Sequence, residues 1–208
     1  MNEMYFVPFE EAESEFTEKR SRFIGHVFRV ESEEEARARI EQVKKRRYDA
    51  RHNCWCFSLH ERALMRYGDD GEPQGTAGQP MLNVFARGNV ENVVCVVTRY
   101  FGGVLLGAGG LARAYGRAAK EALDAAGKAR MTLWTRLRLR VPYPLLERVE
   151  RLSSVGVIEE RDSGEDVALV LRLPAEHETS FAAALTELSN GTLAPEPLGE
   201  LFLPGARE

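Results

Sequence analysis

Val93-Val94-Cys95-Val96-Val97-Thr98-Arg99-Tyr100-Phe101-Gly102-Gly103-Val104-Leu105-Leu106-Gly107-Ala108-Gly109-Gly110 is the stretch that decides the fold. Its first five residues are an unbroken apolar, largely β-branched run, the pattern of a strand buried on both faces. The glycines then deliver the chain into a helix predicted over 111–126, with Leu111, Tyr115, Ala118, Ala119, Ala122 and Ala126 on its core face. Gly127 is a natural C′ residue for that helix. Strand, glycine turn and helix in this order specify a mixed layer of sheet and helices.

Upstream, residues 13–30 read as two strands joined at Arg20-Ser21. A helix follows. Ser32 and Glu35 form a capping box, and Glu33/Arg37, Glu35/Arg39 and Glu41/Lys45 are spaced as i,i+4 pairs. It ends in Lys44-Lys45-Arg46-Arg47, continuing to Arg51, a run that reads as charge at a helix C-terminus or as a phosphate contact. A strand pair is predicted at 53–60 and 63–67, then a short helix opening near Pro80 and closing at Gly88-Asn89. Beyond residue 130, Leu137, Leu139 and Val141 alternate with Arg136, Arg138 and Arg140. A helix at 145–153, strands at 156–161 and 167–173, a helix at 175–188 and a strand at 198–203 complete a βαββαβ series, the order of a ferredoxin-like fold. The chain is therefore α+β, with domains predicted over 1–129 and 130–208.

Composition bounds the function. The chain has 208 residues, 44% of them apolar, and no apolar run approaches a membrane span. Met1-Asn2-Glu3-Met4 has neither the basic nor the apolar region of a secretion signal, so a cytoplasmic protein without a membrane partner is expected. Three cysteines are an odd number and are expected as free thiols. Neither half is strongly basic: the net charge is −4, and arginine outnumbers lysine 23 to 5. Only arginines at particular places inform function.

Two glycine loops hold the candidate chemistry. Gly107, Gly109 and Gly110 lead into a helix N-terminus, whose free N–H groups and dipole favour an anion, and Arg113 and Arg117 lie one turn apart just inside it with Lys120. The other reading is a tight turn whose arginines pair with Glu121, Asp124 or the acidic loop. No lysine follows the last glycine, so the Walker pattern is absent. The loop Asp69-Asp70-Gly71-Glu72-Pro73-Gln74-Gly75-Thr76-Ala77-Gly78-Gln79-Pro80 carries three carboxylates, which suit either a turn or Mg²⁺ shared with a phosphate, and Thr76 with Gln79 is spaced as a capping box. The two loops are expected to face each other across one cleft, with Asp69, Asp70 or Glu72 holding Arg99 or Arg113. His52, Cys54 and Cys56 alternate on a strand, but three ligands at that spacing do not make a structural zinc site, so no resident metal is expected there. Trp134 with Arg136, Arg138 and Arg140 reads as a base-stacking, backbone-binding stripe, or as cations paired with Glu159, Glu160 and Glu200.

Arg51-His52-Asn53-Cys54, the acidic loop through Pro80, and Thr98 to Leu111 with Arg113-Ala114-Tyr115 closely resemble the YigZ/IMPACT family. The resemblance implies an N-terminal domain with the fold shared by a small-subunit ribosomal protein, the fourth domain of elongation factor G and the galactokinase–mevalonate kinase group. It also implies a C-terminal domain like the last domain of elongation factor G. Eukaryotic IMPACT proteins relieve translational arrest by competing for the activator of an amino-acid-starvation kinase. The expectation for this chain is a binding protein that contacts RNA or a ribosome-associated component through Arg99, Gly107, Gly109, Gly110, Arg113 and Arg117, with Asp69, Asp70, Glu72 and Thr76 on the facing loop. The alternatives are an enzyme acting on a small phosphorylated substrate and a protein–protein interaction module.

Overall fold

The computed structural model describes residues 5–61 and 63–207. The chain divides into a first unit of residues 1–131 with 204–208 and a second of residues 132–203. Two sheets and five α-helices among the described residues make it a mixed α/β protein.

The elements of the first unit are β1 (Phe6–Pro8), β2 (Ala12–Glu18), β3 (Ser21–Arg29), α1 (Glu33–Arg46), β4 (His52–Leu59), β5 (Leu64–Gly68), α2 (Gly78–Arg87), β6 (Val93–Tyr100) and α3 (Ala108–Ala126). Five strands form an antiparallel sheet in the order β2-β3-β6-β4-β5. The apolar run sits on β6 at its centre, buried from Val93 to Arg99. Alternate side chains serve two cores. Val94 and Val96 meet Ala36, Ile40 and Val43 of α1, whereas Val93, Cys95 and Val97 belong with Phe85 of α2 and Tyr115 and Ala119 of α3. Helices on both faces are why the run contains no polar residue.

Local chemistry matches most of the expected boundaries. Ser32 Oγ accepts the Glu35 N–H at 3.1 Å, while Glu35 reaches back to the Glu31 N–H. Arg37 pairs with Glu33, but Arg39 turns to Glu11 on a neighbouring segment rather than to Glu35. The hairpin between β2 and β3 turns through Lys19 and Arg20, both with positive φ. α3 begins at Ala108, three residues before its expected start, because Gly107 at φ 74° and ψ 165° swings the chain directly into the helix. A short strand absent from the sequence reading, β1, pairs with Lys128, Ala129 and Arg130.

The first unit receives the last residues of the chain. Arg207 donates to the Ala125 carbonyl and to Glu10, both at 2.9 Å, beside the C-terminal end of α3.

The second unit follows β7 (Lys128–Val141), within which the division falls, and comprises α4 (Tyr143–Leu152), β8 (Val157–Ser163), β9 (Val167–Pro174), α5 (Glu178–Ser189) and most of β10 (Glu196–Arg207). The strand order is β10-β7-β9-β8. Leu137, Leu139 and Val141 join Leu169, Leu171 and Leu173 against Val149, Phe181 and Leu185 of the helices. The opposite face of β7 carries the arginine stripe. Arg136 pairs with Glu159 and Glu160, Arg138 with Glu196 rather than Glu200, and Arg172 lies 5.8 Å from the Trp134 ring centroid.

Candidate functional site

The acidic loop is organised from within, each carboxylate with its own task. Asp69 Oδ1 accepts the N–H groups of Ala77 and Gly78 at 3.1 and 2.8 Å, and Oδ2 that of Gly75 at 2.8 Å. It therefore caps α2 from eight residues upstream. The capping box read from Thr76 and Gln79 does not form, because the Thr76 hydroxyl donates to the Pro73 carbonyl at 2.6 Å. Asp70 Oδ2 accepts the Asn53 N–H at 2.7 Å, and its Oδ1 meets Lys44 Nζ at 3.3 Å. Its carbonyl receives the Nδ1–H of His52 at 2.8 Å.

Glu72 points the other way, onto β6 and α3. Its Oε1 accepts Arg99 Nη1 at 2.6 Å and the Tyr115 hydroxyl at 2.8 Å, with His52 Nε2 3.9 Å away. The Glu72 and Arg99 side chains are 4% and 5% exposed. Arg99 also donates to Ser21 Oγ at 3.3 Å, and the same hydroxyl accepts the Gly102 N–H at 3.2 Å. A Cβ at Gly102 would lie 2.0 Å from the Arg20 backbone, so the close approach that this glycine permits is to the protein's own hairpin.

The two glycine loops do line one cleft, of about 380 Å³, together with Arg51, His52, Glu72, Arg99, Phe101 and Leu111. Phe101 is 40% exposed and Leu105 81%, and the Arg99 and Arg51 guanidinium carbons stand 5.4 and 5.9 Å from the Phe101 ring centroid. Gly107 and Ala108 form its rim.

Arg113 and Arg117 are not in this cleft. With Gly110 they border a separate depression that includes Phe16, Glu18 and Lys19, because a helix turning 100° per residue carries positions 113 and 117 away from the face of Leu111. Arg117 lies 4.1 Å from the Phe16 ring centroid and pairs with Glu121, and Lys120 pairs with Asp124. Arg113 is exposed and has no ion-pair partner among the described residues. Gly109 lies in the first turn of α3, with Arg113 Nη1 its nearest neighbour on the Cβ side.

Cys54, Cys56 and Cys95 are free thiols in the core. Cys54 Sγ donates to the Asp69 carbonyl at 2.9 Å, and Cys56 is the cross-strand partner of Cys95. Burial pushes the Cys54 thiol far above its ordinary value, the Tyr115 contact opposing it, and burial likewise raises the Tyr115 phenol, followed by Cys54 and Glu72. Both groups are thereby held protonated, as hydrogen-bond donors rather than nucleophiles. Among the described residues no group of three or more His, Cys, Asp or Glu is arranged around a metal position. None of the described helices is long and apolar enough to cross a membrane.

The Tyr115 hydroxyl is the participant that sequence reasoning misses. Helical periodicity assigns Tyr115 only to the core face of α3, and the available signal is its phenolic oxygen, which a buried position obliges to find a partner.

The profile of the Impact N-terminal domain matches residues 19–123, and that of a domain of unknown function (DUF1949) matches residues 139–192. The IMPACT family member YvyE of Bacillus subtilis is 37% identical over 190 residues, covering 90% of this chain and 88% of its own. The Protein IMPACT homolog of Dictyostelium discoideum is 38% identical over 96 residues, 44% of this chain and 27% of its own. A crystal structure of a hypothetical protein superposes with a TM-score of 0.61 at 34% identity, covering 96% of this chain and 99% of that one.

Proposed function

The chain belongs to the IMPACT family, and from that premise we propose that it is a cytoplasmic binding protein of the translation apparatus that holds RNA phosphate at the N-terminus of α3. One observation carries the reading. α1 is capped by Ser32 and α2 by Asp69, yet α3, the longest helix of the first unit, has no side-chain cap and no acidic residue in its first turn. In the second turn stands Arg113, exposed and without an ion pair among the described residues, with Lys19 bordering the same depression. An unpaired cation one turn from uncapped helix N–H groups suits an anion bound between them.

The fold supports the same reading. We take the first unit as the ribosomal-protein-type fold of the fourth domain of elongation factor G. The second, with its strand order β10-β7-β9-β8, we take as a ferredoxin-like domain resembling the last domain of that factor. Filter binding of RNA across a salt series tests the function. Neutralising about three phosphates gives a log-log slope near −2 to −3, and Arg113→Glu should weaken retention and make that slope shallower. No retention at low salt, or none of the expected loss in the variant, overturns the reading.

A further inference from the structure

The cleft beside the start of α3 has a polar wall and an aromatic wall that phosphate binding alone leaves unused. On the polar wall, Glu72 is almost wholly buried. Its Oε1 takes both Arg99 and Tyr115, whereas Oε2 has no partner among the described residues and is the oxygen left to the cleft. A carboxylate oxygen on so buried a side chain that opens on the cleft favours a donor there. His52 stands next to it. Its Nδ1 must carry a proton, since the Asp70 carbonyl can only accept, which leaves Nε2, 3.9 Å from Glu72, for the cleft.

A carboxylate oxygen beside an imidazole nitrogen suits a ligand with two adjacent groups that can each donate or accept. An ammonium group would meet the guanidinium groups of Arg51 and Arg99, so a neutral pair of hydroxyls fits better. The aromatic wall is Phe101, part-exposed and flanked by those two arginines, a surface on which a base stacks. Gly107 and Ala108 bring the uncapped N–H groups of α3 to the same cleft.

We propose that this cleft binds a ribonucleotide with a free 2′,3′ cis-diol. One hydroxyl donates to Glu72 Oε2 and its neighbour hydrogen-bonds His52 Nε2, the base lies on Phe101, and the phosphate meets the start of α3. Two sources carry that chemistry, the 3′ end of an RNA and a free nucleoside monophosphate. The proposal rests on the phosphate reading above and adds to it a requirement for the diol.

The test uses the full chain and a short 5′-labelled RNA in three forms: with the intact 3′ cis-diol, periodate-oxidised, and ending in a 2′-deoxynucleotide. Adenosine monophosphate and its 2′-deoxy analogue are titrated in parallel by calorimetry. Loss of the diol should weaken binding about ten-fold in either series. Tighter binding of the RNA names its 3′ end as the source, and tighter binding of the monophosphate names the free nucleotide. Equal binding of all three RNAs and of both monophosphates overturns the cis-diol pocket while leaving the phosphate reading intact. Diol-selective binding of the monophosphate without any RNA binding keeps the pocket and overturns the RNA reading, and no binding in either series overturns both. Glu72→Gln should erase the discrimination. Phe101→Ala, which alters a part-exposed ring and leaves the core untouched, should weaken every diol-bearing ligand about ten-fold. Arg113→Glu should weaken the RNAs with no change in the ratio between diol and non-diol forms.

Discussion

Glu72 Oε1 and Arg99 Nη1 meet at 2.6 Å with only 4% and 5% of their side chains exposed, joining the acidic loop to the central strand. A charge pair this dry is tolerable only while both members are present. Glu72→Ala or Arg99→Ala should each cost about 3–5 kcal/mol in equilibrium denaturation. A Glu72→Ala/Arg99→Met double variant should recover part of that loss, since no buried charge is then left alone. Additive losses would show that the two residues stabilise the fold independently.

Asp69 supplies three hydrogen bonds to the backbone at the start of α2. Asp69→Ala should destabilise the protein by about 1–2 kcal/mol, and Asp69→Asn by less, because an amide oxygen still accepts N–H groups. Thermal unfolding of the two variants beside the parent gives the comparison.

The glycines around α3 should respond in opposite ways. Gly107 has φ 74°, so Gly107→Ala should cost about 1–3 kcal/mol. Gly109 is helical, and a Cβ there meets only Arg113 Nη1 at 3.6 Å. Gly109→Ala should leave stability unchanged or raise it by up to about 1 kcal/mol. Denaturant midpoints of the pair decide it.

His26, 2% exposed on β3, sets a pH dependence. Burial lowers its pKa from 6.5 to about 4, with Arg46 and Arg47 acting in the same sense and Glu13, 3.1 Å from Nδ1, opposing. Above pH 6.5 the ring is neutral in both states and adds no pH dependence. Between about 6.5 and 4 the unfolded chain takes up a proton that the folded chain refuses, so stability falls as pH falls, by of order 3 kcal/mol, and levels off below. His26→Gln should flatten that part of the curve of unfolding free energy against pH. An unchanged slope would mean that His26 titrates normally.

Legibility in the sequence tracks the range of the interactions involved. The run from Val93 to Val97, the Ser32 cap and the alternation at Leu137, Leu139 and Val141 depend on neighbours within a few residues, and each is where its pattern puts it. The shared cleft is readable because the end of a buried strand and the helix after it must open at one sheet edge. The cap on α2 is not, because the oxygen that serves Gly78 belongs to Asp69, and its reach depends on the three-dimensional path of the loop between them. The separation of Arg113 and Arg117 from Arg99 is hidden for a related reason: a count along the chain shows proximity to a helix end but not which side of the helix faces the cleft. β1 is three residues long, too short to have a period of its own.

Arg207, tied to Glu10 and to the Ala125 carbonyl, makes the first unit discontinuous in sequence. Residues 1–131 expressed alone would leave the end of α3 without its donor and the Phe9 ring without the guanidinium 5.9 Å from its centroid. Removing Arg207 therefore acts on the unit that carries the cleft, although that residue lies more than seventy positions along the polypeptide from Met131, the unit's last contiguous residue.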